Sequence, residues 1–221
     1  MTDGVSCALC HQITPDKLGD HSSFTAGFAI DTTTAEGERT IYGPFEVDSG
    51  RTSLMRSASR FAPAEGKHIQ SSELCATCHT LFTHTLDDNG EVVGELAEQV
   101  PYLEWKHSDF AGKQSCQDCH MPVVEGETSV SSVLGTPRKE VSRHVFRGGN
   151  IVMPRILNAH REELAVAALP QELATTTQQT KKNLETATAR LTVVDPEISG
   201  SKLATEVVIE NLAGHKLPSA Y

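Results

Sequence analysis

Aromatic residues are scarce in this 221-residue chain, at 5% of the sequence with a single tryptophan. Hydrophobic residues of all kinds reach only 38%, which is low for a chain long enough to form one large domain or two small ones. A core built from side chains alone is therefore expected to be small. An apolar group bound within the fold would make up for that shortage.

Long apolar runs and an excess of basic residues are also missing. No stretch of about 18 apolar residues occurs, so no transmembrane helix is predicted. The chain opens Met1-Thr2-Asp3-Gly4, with no basic start or apolar stretch, so no signal peptide is predicted. The 29 acidic residues outnumber the 19 basic ones, and the net charge is −10. Nucleic acid and anionic membrane surfaces are therefore poor partners.

No cysteine lies outside one repeated pentapeptide, C-x-x-C-H, which occurs as Cys7-Ala8-Leu9-Cys10-His11, Cys75-Ala76-Thr77-Cys78-His79 and Cys116-Gln117-Asp118-Cys119-His120. This pattern is typical of c-type haem attachment. The two thiols add to the haem vinyl groups, and one short helical turn presents both sulfurs and the imidazole to the same porphyrin face. The sequence predicts three covalent c-type haems, held by Cys7, Cys10, Cys75, Cys78, Cys116 and Cys119, with His11, His79 and His120 on the irons.

Zinc, disulfides and redox dithiols are the alternatives for these cysteines. A zinc site built from the first two cysteine pairs would not use the histidine after each pair, and it would leave Cys116 and Cys119 without a role. Three disulfides would use every thiol but would not require those histidines. Three porphyrins, as large apolar plates, would also compensate for the small expected core.

The pattern along the chain predicts a mainly irregular or α-helical multihaem core with few short helices. Residues 12–66 and 121–150 show no sustained helical period and are expected to be loops, with one short hairpin in the first. Short helices are predicted to begin near Ser71 or Ser72 and at Pro101, the latter extending to residue 110. Two further helices are predicted at 154–168 and 171–186, where Pro154 and Pro170 mark the boundaries.

Residues 187–211 alternate in polarity around a turn at 195–201, which predicts a β-hairpin. Leu191 and Val193 on one strand, and Val207 and Ile209 on the other, should share an apolar face. We expect this hairpin to be the first strands of a truncated β-sandwich, and the chain to be a fragment of a larger protein. The predicted domains are a trihaem core at 1–150, a helical segment packing on it at 151–186, and the hairpin at 187–221.

Four segments, in this order, resemble a family of multihaem cytochromes c. They are Ser72-Glu73-Leu74-Cys75-Ala76-Thr77-Cys78-His79-Thr80-Leu81, then Tyr102-Leu103-Glu104-Trp105 followed by the third haem motif, His144-Val145-Phe146-Arg147-Gly148-Gly149-Asn150, and Asn211-Leu212-Ala213-Gly214-His215-Lys216-Leu217-Pro218. The last two are similar to the family's H-x-F-x-G-G-N and N-x-x-G-H-K-x-P patterns. The resemblance implies further haem motifs upstream and a β-sandwich downstream, and it covers the chain from about residue 4 to 221.

The resemblance also implies the second axial ligands, because His68, His144 and His215 fall at histidine positions of the family segments. Bis-histidine ligation of this kind gives a low-spin, low-potential electron carrier. Which histidine serves which haem stays open. His21, His84 and His160 are interpreted as polar surface residues, while His107 is left open and Met55 is interpreted as an apolar anchor rather than a ligand.

Electron relay is the function that these features favour, with an electron carrier preferred to an enzyme. The alternative is part of a multihaem oxidoreductase of the nitrite or hydroxylamine type, with one substrate-binding haem. A weaker alternative is a haem core that only supports a docking domain. The expected location is periplasmic or extracellular, since covalent haem is normally attached outside the cytoplasm. Expected partners are redox proteins, an external electron acceptor, and further haem domains of the same full-length protein.

Overall fold

The computed structural model describes residues 5–219, and the chain forms two compact units. The first unit comprises Met1–Gln117 and Pro218–Tyr221, and the second comprises Asp118–Leu217. The boundary between them lies within the third C-x-x-C-H motif. The domain boundaries expected after residues 150 and 186 stay predictions.

The fold is mixed α/β, so the predicted fold class, a mainly irregular or helical haem core, is wrong. Residues 5–219 contain seven α-helices and eight strands. The strands form four separate two-stranded sheets, of which one is parallel and three are antiparallel. The error came from short strands of two to eight residues within segments that show no period of their own. Such strands are stabilised by pairing with a distant partner, which local periodicity does not report.

The elements of the first unit, in chain order, are α1 (Cys7–Gln12), β1 (Thr40–Gly43), α2 (Ser49–Ser59), β2 (Ala62–Glu65), α3 (Ser72–Ala76), β3 (Leu81–Leu86), β4 (Val92–Gln99) and α4 (Pro101–Lys106). Short 3-10 turns lie at His21–Ser23 and Lys67–Gln70. Strands β1 and β2 are parallel neighbours joined through α2, and β3 and β4 form a hairpin. Helix α5 (Cys116–His120) continues the chain from this unit into the second.

Helix α2 was not predicted, although the sequence contains its start signal. The carboxylate of Asp48 accepts a hydrogen bond from the backbone N–H of Arg51 at 3.0 Å, as an N-cap residue does. The helix ends where Arg60 adopts a left-handed conformation at φ +62°. With α2 in place, β1 and β2 come together, and β1 lies beside the first C-x-x-C-H motif, where the carbonyl of Tyr42 meets His11.

The second unit contains β5 (Thr128–Ser129), β6 (Pro137–Arg138), α6 (Val152–Ala159), α7 (Pro170–Asn183), a π-turn at Leu184–Thr188, β7 (Ala189–Ser199) and β8 (Lys202–Asn211). Helix α6 ends at Ala159 rather than near 168, and a turn follows it. Helix α7 begins with Pro170 at its first position, where proline needs no N–H partner. Thr177 and Thr180 are the residues that α7 buries.

The side-chain core is small and lies beside the second C-x-x-C-H motif. Its buried members are Phe24, Ala76 and Tyr102, and the half-buried Phe82, Leu103 and Trp105 pack around them. Ile13 is the fourth buried apolar residue among those described. The low core content expected from composition is therefore found. The motif residue Ala76 is part of this core, so the second motif is anchored in it.

Strands β7 and β8 form the antiparallel pair expected from the alternation, with Leu191 opposite Ile209 and Val193 opposite Val207. All four side chains are at least half exposed, between 50% and 65%. The helices of residues 151–186 therefore do not cover this apolar face.

Within residues 5–219, no helix is long and apolar enough to cross a membrane.

Candidate functional site

Each C-x-x-C-H motif occupies a helical turn. Helix α1 contains the first motif and α5 the third. In the second motif α3 ends at Ala76, but the backbone N–H of His79 still donates to the carbonyl of Cys75 at 2.9 Å. That bond spans four residues, as in an α-helix. All three motifs therefore have the local conformation that places two thiols and an imidazole along one side of a turn.

The second and third motifs each bury the residue or residues that directly follow the first cysteine. In the second motif Ala76 and Thr77 are buried, whereas Cys78 and His79 are exposed. In the third motif Gln117 is buried and Cys119 is exposed. The described protein thus packs against one side of each turn, half-buries Cys75 and Cys116, and leaves exposed the side that carries Cys78, His79 and Cys119. A porphyrin attached there would cover it, so the motifs fit the group that the sequence predicts.

Thiols from different motifs come together in the first unit. Cys75 and Cys116 are hydrogen-bonded through their sulfurs, which raises the pKa of Cys75 and lowers the pKa of Cys116 to about 7. Burial raises the pKa of Cys10, and the nearby Cys78 adds to that rise. None of the six cysteines is disulfide-bonded in this structure. Thiols of consecutive motifs are therefore close neighbours.

The third motif is docked on the start of α3 by polar contacts. The backbone N–H of Cys116 donates to the Ser72 hydroxyl at 3.1 Å. The side-chain amide of Gln117 donates to the carbonyl of Ser71 at 2.7 Å and to that of Ile69 at 3.0 Å. Buried hydrogen bonds of this kind fix position, because breaking one leaves an unsatisfied polar group. Gln117 thus holds the beginning of the third motif against the second.

Two of the three motif histidines are oriented by backbone carbonyls. The Nδ1 of His11 lies 2.5 Å from the carbonyl oxygen of Tyr42 in β1, and the Nδ1 of His120 lies 2.5 Å from that of Arg147. A carbonyl oxygen only accepts, so each Nδ1 carries the proton and each Nε2 keeps its lone pair. Histidines that bind metals are commonly held in this way. His79, in the second motif, is exposed at the turn after α3.

Arg147 is held against the end of the third motif by two further hydrogen bonds. Its backbone N–H donates to the carbonyl of His120 at 3.1 Å, and its Nε donates to the carbonyl of Cys119 at 2.8 Å. The last carbonyls of α5 would otherwise lack intrahelical partners. The segment of residues 144–150 thus caps α5 and orients the motif imidazole.

His68 lies near the first motif, packed against Tyr42 and Gly66. Its Nε2 donates to the carbonyl of Ile13 at 2.9 Å, and its ring meets that of Tyr42 edge-on at a centroid distance of 4.7 Å. Gly66 is buried against it, since an added Cβ would lie 2.6 Å from Cε1 of His68. In this arrangement Nδ1, rather than Nε2, is the nitrogen of His68 that retains a lone pair. His68 as an iron ligand stays a prediction.

His215 is brought to the third motif's histidine, whereas His144 is placed differently. The ring centroids of His120 and His215 are 6.2 Å apart, and the ring planes are 6° from parallel. His144 is exposed, and its ring lies 5.8 Å from that of Phe146 in an edge-on contact. The structure thus brings His215 together with a motif histidine, and the role of His144 stays a prediction.

The histidines interpreted as surface residues have carboxylate neighbours. Glu95 lies 3.5 Å from Nε2 of His21 and 3.7 Å from Nε2 of His84, and Glu163 lies 3.0 Å from Nδ1 of His160. All three histidines are at least half exposed.

Across residues 5–219, no group of three or more histidine, cysteine or acidic side chains is arranged to hold a metal ion.

Several residues that shape the site were missed by sequence reasoning. The carbonyls of Tyr42 and Arg147 have no sequence signal, because any residue supplies a carbonyl. Asn211 and Arg147 lie within the segments that carried the family resemblance, but the sequence did not reveal what they contact.

Comparison with protein-family models, curated proteins and solved structures gives no match.

Proposed function

We propose that this chain is a multihaem c-type cytochrome that relays electrons through three covalently bound haems. The observation that carries the proposal is the set of three C-x-x-C-H motifs, each on a helical turn with one of its two thiols exposed. Haem supplies one-electron redox chemistry when bound. The chain's own part is to hold the haem through six thiols and to present His11, His79 and His120 to the irons.

The proximity of the motifs supports a relay rather than three isolated centres. The thiols of Cys75 and Cys116 share a hydrogen bond, and Cys10 is close enough to Cys78 for their charges to interact. Groups attached at these sulfurs would be neighbours. Electron transfer between neighbouring centres needs no substrate pocket, so this arrangement favours an electron carrier over the oxidoreductase alternative.

The same proposal includes the family, the location and the partners. We infer a member of the multihaem cytochrome c family that functions in the periplasm or outside the cell. With a net charge of −10, a positively charged redox protein or an external acceptor is the complementary partner. Further haem domains of a longer protein would be additional partners.

The test is to produce the chain together with a c-type haem maturation system and measure its intact mass. We expect the apoprotein mass plus three haems, unchanged after acid–acetone extraction because thioether bonds survive it. Replacing both cysteines of one motif by alanine should remove one haem. A protein that carries no covalent haem, or that binds zinc at its thiols instead, would overturn the proposal. A high-spin haem in an otherwise haem-loaded protein would favour the enzyme alternative.

A further inference from the structure

The imidazole rings of His120 and His215 lie close together, and the C-x-x-C-H motif alone does not predict this pairing. His120 ends α5, and His215 follows the last strand, β8. Their ring centroids are 6.2 Å apart with planes 6° from parallel. A histidine nitrogen binds a transition metal at about 2.0–2.1 Å. The centre of the imidazole ring lies roughly 1 Å beyond that nitrogen. Two imidazoles on opposite sides of one metal ion therefore have ring centroids about 6 Å apart. The observed spacing fits that arrangement.

The hydrogen bonds of both rings place the proton on the same nitrogen. His120 donates from Nδ1 to the carbonyl of Arg147 at 2.5 Å, and His215 donates from Nδ1 to the carbonyl of Lys216 at 3.1 Å. Because both acceptors are carbonyls, both rings are protonated at Nδ1. Each therefore keeps its lone pair on Nε2, the nitrogen that commonly binds haem iron when Nδ1 is held by a backbone carbonyl.

His215 is held in place by a turn that Asn211 organises. The Oδ1 of Asn211 accepts from the backbone N–H of Ala213 at 2.9 Å, and its Nδ2 donates to the carbonyl of His215 at 2.8 Å. The backbone N–H of Leu212 also donates to the carbonyl of Thr188, at 3.0 Å, which ties the turn to the start of the hairpin. The β7–β8 hairpin and the turn after it therefore position His215 next to His120 of the third motif.

We propose that His120 and His215 are the two axial ligands of the haem attached at the third motif. This inference rests on the proposed function, and it adds an assignment that the sequence left open. The alternative is a parallel-displaced contact between two imidazoles, which has a similar centroid spacing. The two differ in what happens to iron coordination when His215 is removed.

The experiment uses the three-haem holoprotein and compares His215→Ala with a matched control, His160→Ala, whose ring lies beside Glu163. Each substitution is made in the full protein and in a second background, Cys116→Ala with Cys119→Ala, which lacks the third haem. Electron paramagnetic resonance and resonance Raman spectra report the spin state of the ferric haems. A third variant, His215→Met, supplies a different ligand at the same place.

In the three-haem protein, His215→Ala should convert one haem per chain to high spin, and His160→Ala should leave the spectrum unchanged. In the background without the third haem, His215→Ala should have no effect. The signal lost should be rhombic, because near-parallel imidazole planes produce that type of low-spin spectrum. His215→Met should keep the haem low-spin and raise its reduction potential.

Two results would overturn the assignment. If His215→Ala leaves every haem low-spin, the two rings make only a contact. If the substitution creates a high-spin haem when the third haem is absent, His215 serves another motif. If the backgrounds fail to fold, His215→Met decides, because an unchanged potential at all three haems also excludes His215 as a ligand. A protein without any covalent haem would instead refute the proposed function.

Discussion

The side-chain amide of Asn211 donates a hydrogen bond to the backbone carbonyl of His215 at 2.8 Å, while its oxygen accepts from the N–H of Ala213. One side chain thus closes the turn that follows β8. The turn places the imidazole of His215 opposite that of His120. Asn211 is a positioning residue, because it acts on the site through the backbone of His215.

Replacing Asn211 should weaken the placement of His215 in a graded way. Asn211→Asp keeps the acceptor for Ala213 and loses the donor, whereas Asn211→Ala loses both. Each lost hydrogen bond costs about 1 kcal/mol, roughly a fivefold change in the equilibrium that places the ring. We expect a larger high-spin fraction in Asn211→Ala than in Asn211→Asp, measured by resonance Raman on the three-haem protein. Equal spectra for both variants and the parent would contradict this role.

Gly66 should tolerate no side chain, because it is packed against His68 and Tyr42. A Cβ there would lie 2.6 Å from Cε1 of His68 and 2.9 Å from Cδ1 of Tyr42. Gly66→Ala should therefore shift the His68 ring and destabilise the protein by about 1–3 kcal/mol, as overpacking does. The control is Gly43→Ala in β1, where no atom lies within 4 Å of the new Cβ. Thermal melting of both variants checks this, and equal melting temperatures would show that the close packing is absent.

The thiol of Cys116 should ionise near neutral pH in the chain without haem. The hydrogen bond from Cys75 stabilises the thiolate and lowers the pKa of Cys116 to about 7. Alkylation of Cys116 by iodoacetamide should then rise with pH around a midpoint near 7, against about 8.5 for an ordinary thiol. Peptide mass spectrometry after short labelling pulses over a pH series measures this midpoint.

The variant pair Cys75→Ala and Cys75→Ser tests the cause of that shift. Alanine removes the donor, so the midpoint for Cys116 should move up toward the ordinary value. Serine still donates from its hydroxyl, so the midpoint should stay low. If the two variants give the same midpoint, the hydrogen bond between the thiols is not what lowers the pKa.

The exposed face of the β7–β8 hairpin should promote self-association. Leu191 and Ile209 are cross-strand partners, 64% and 65% exposed, and Val193 and Val207 continue the face. Contiguous apolar surface of this kind favours association. The double variant Leu191→Thr with Ile209→Thr should shift sedimentation toward monomer at the same concentration. The matched control replaces Thr192 and Thr205 by serine, and an effect of equal size there would count against the apolar face.

The sequence by itself determined the local chemistry of the candidate site. A C-x-x-C-H motif is five residues long, so its thiols and imidazole are placed by one helical turn, and all three turns are present in the structure. The β7–β8 pairing also follows local information, because alternation and turn residues specify a hairpin without distant partners. The scarcity of apolar residues likewise predicted a core with few buried apolar side chains.

Only the tertiary structure decided which distant groups meet. The parallel pairing of β1 with β2 and the carbonyls that orient His11 and His120 depend on how the chain folds back. No residue type identifies a particular carbonyl, and a short strand gains its stability from a partner elsewhere in the chain. The sequence named His215 as one of three candidates, and its position opposite His120 appeared only once the hairpin and the segment at Arg147 were in place. Contacts between residues so far apart are set by the packing of whole elements, and local patterns contain no record of that packing.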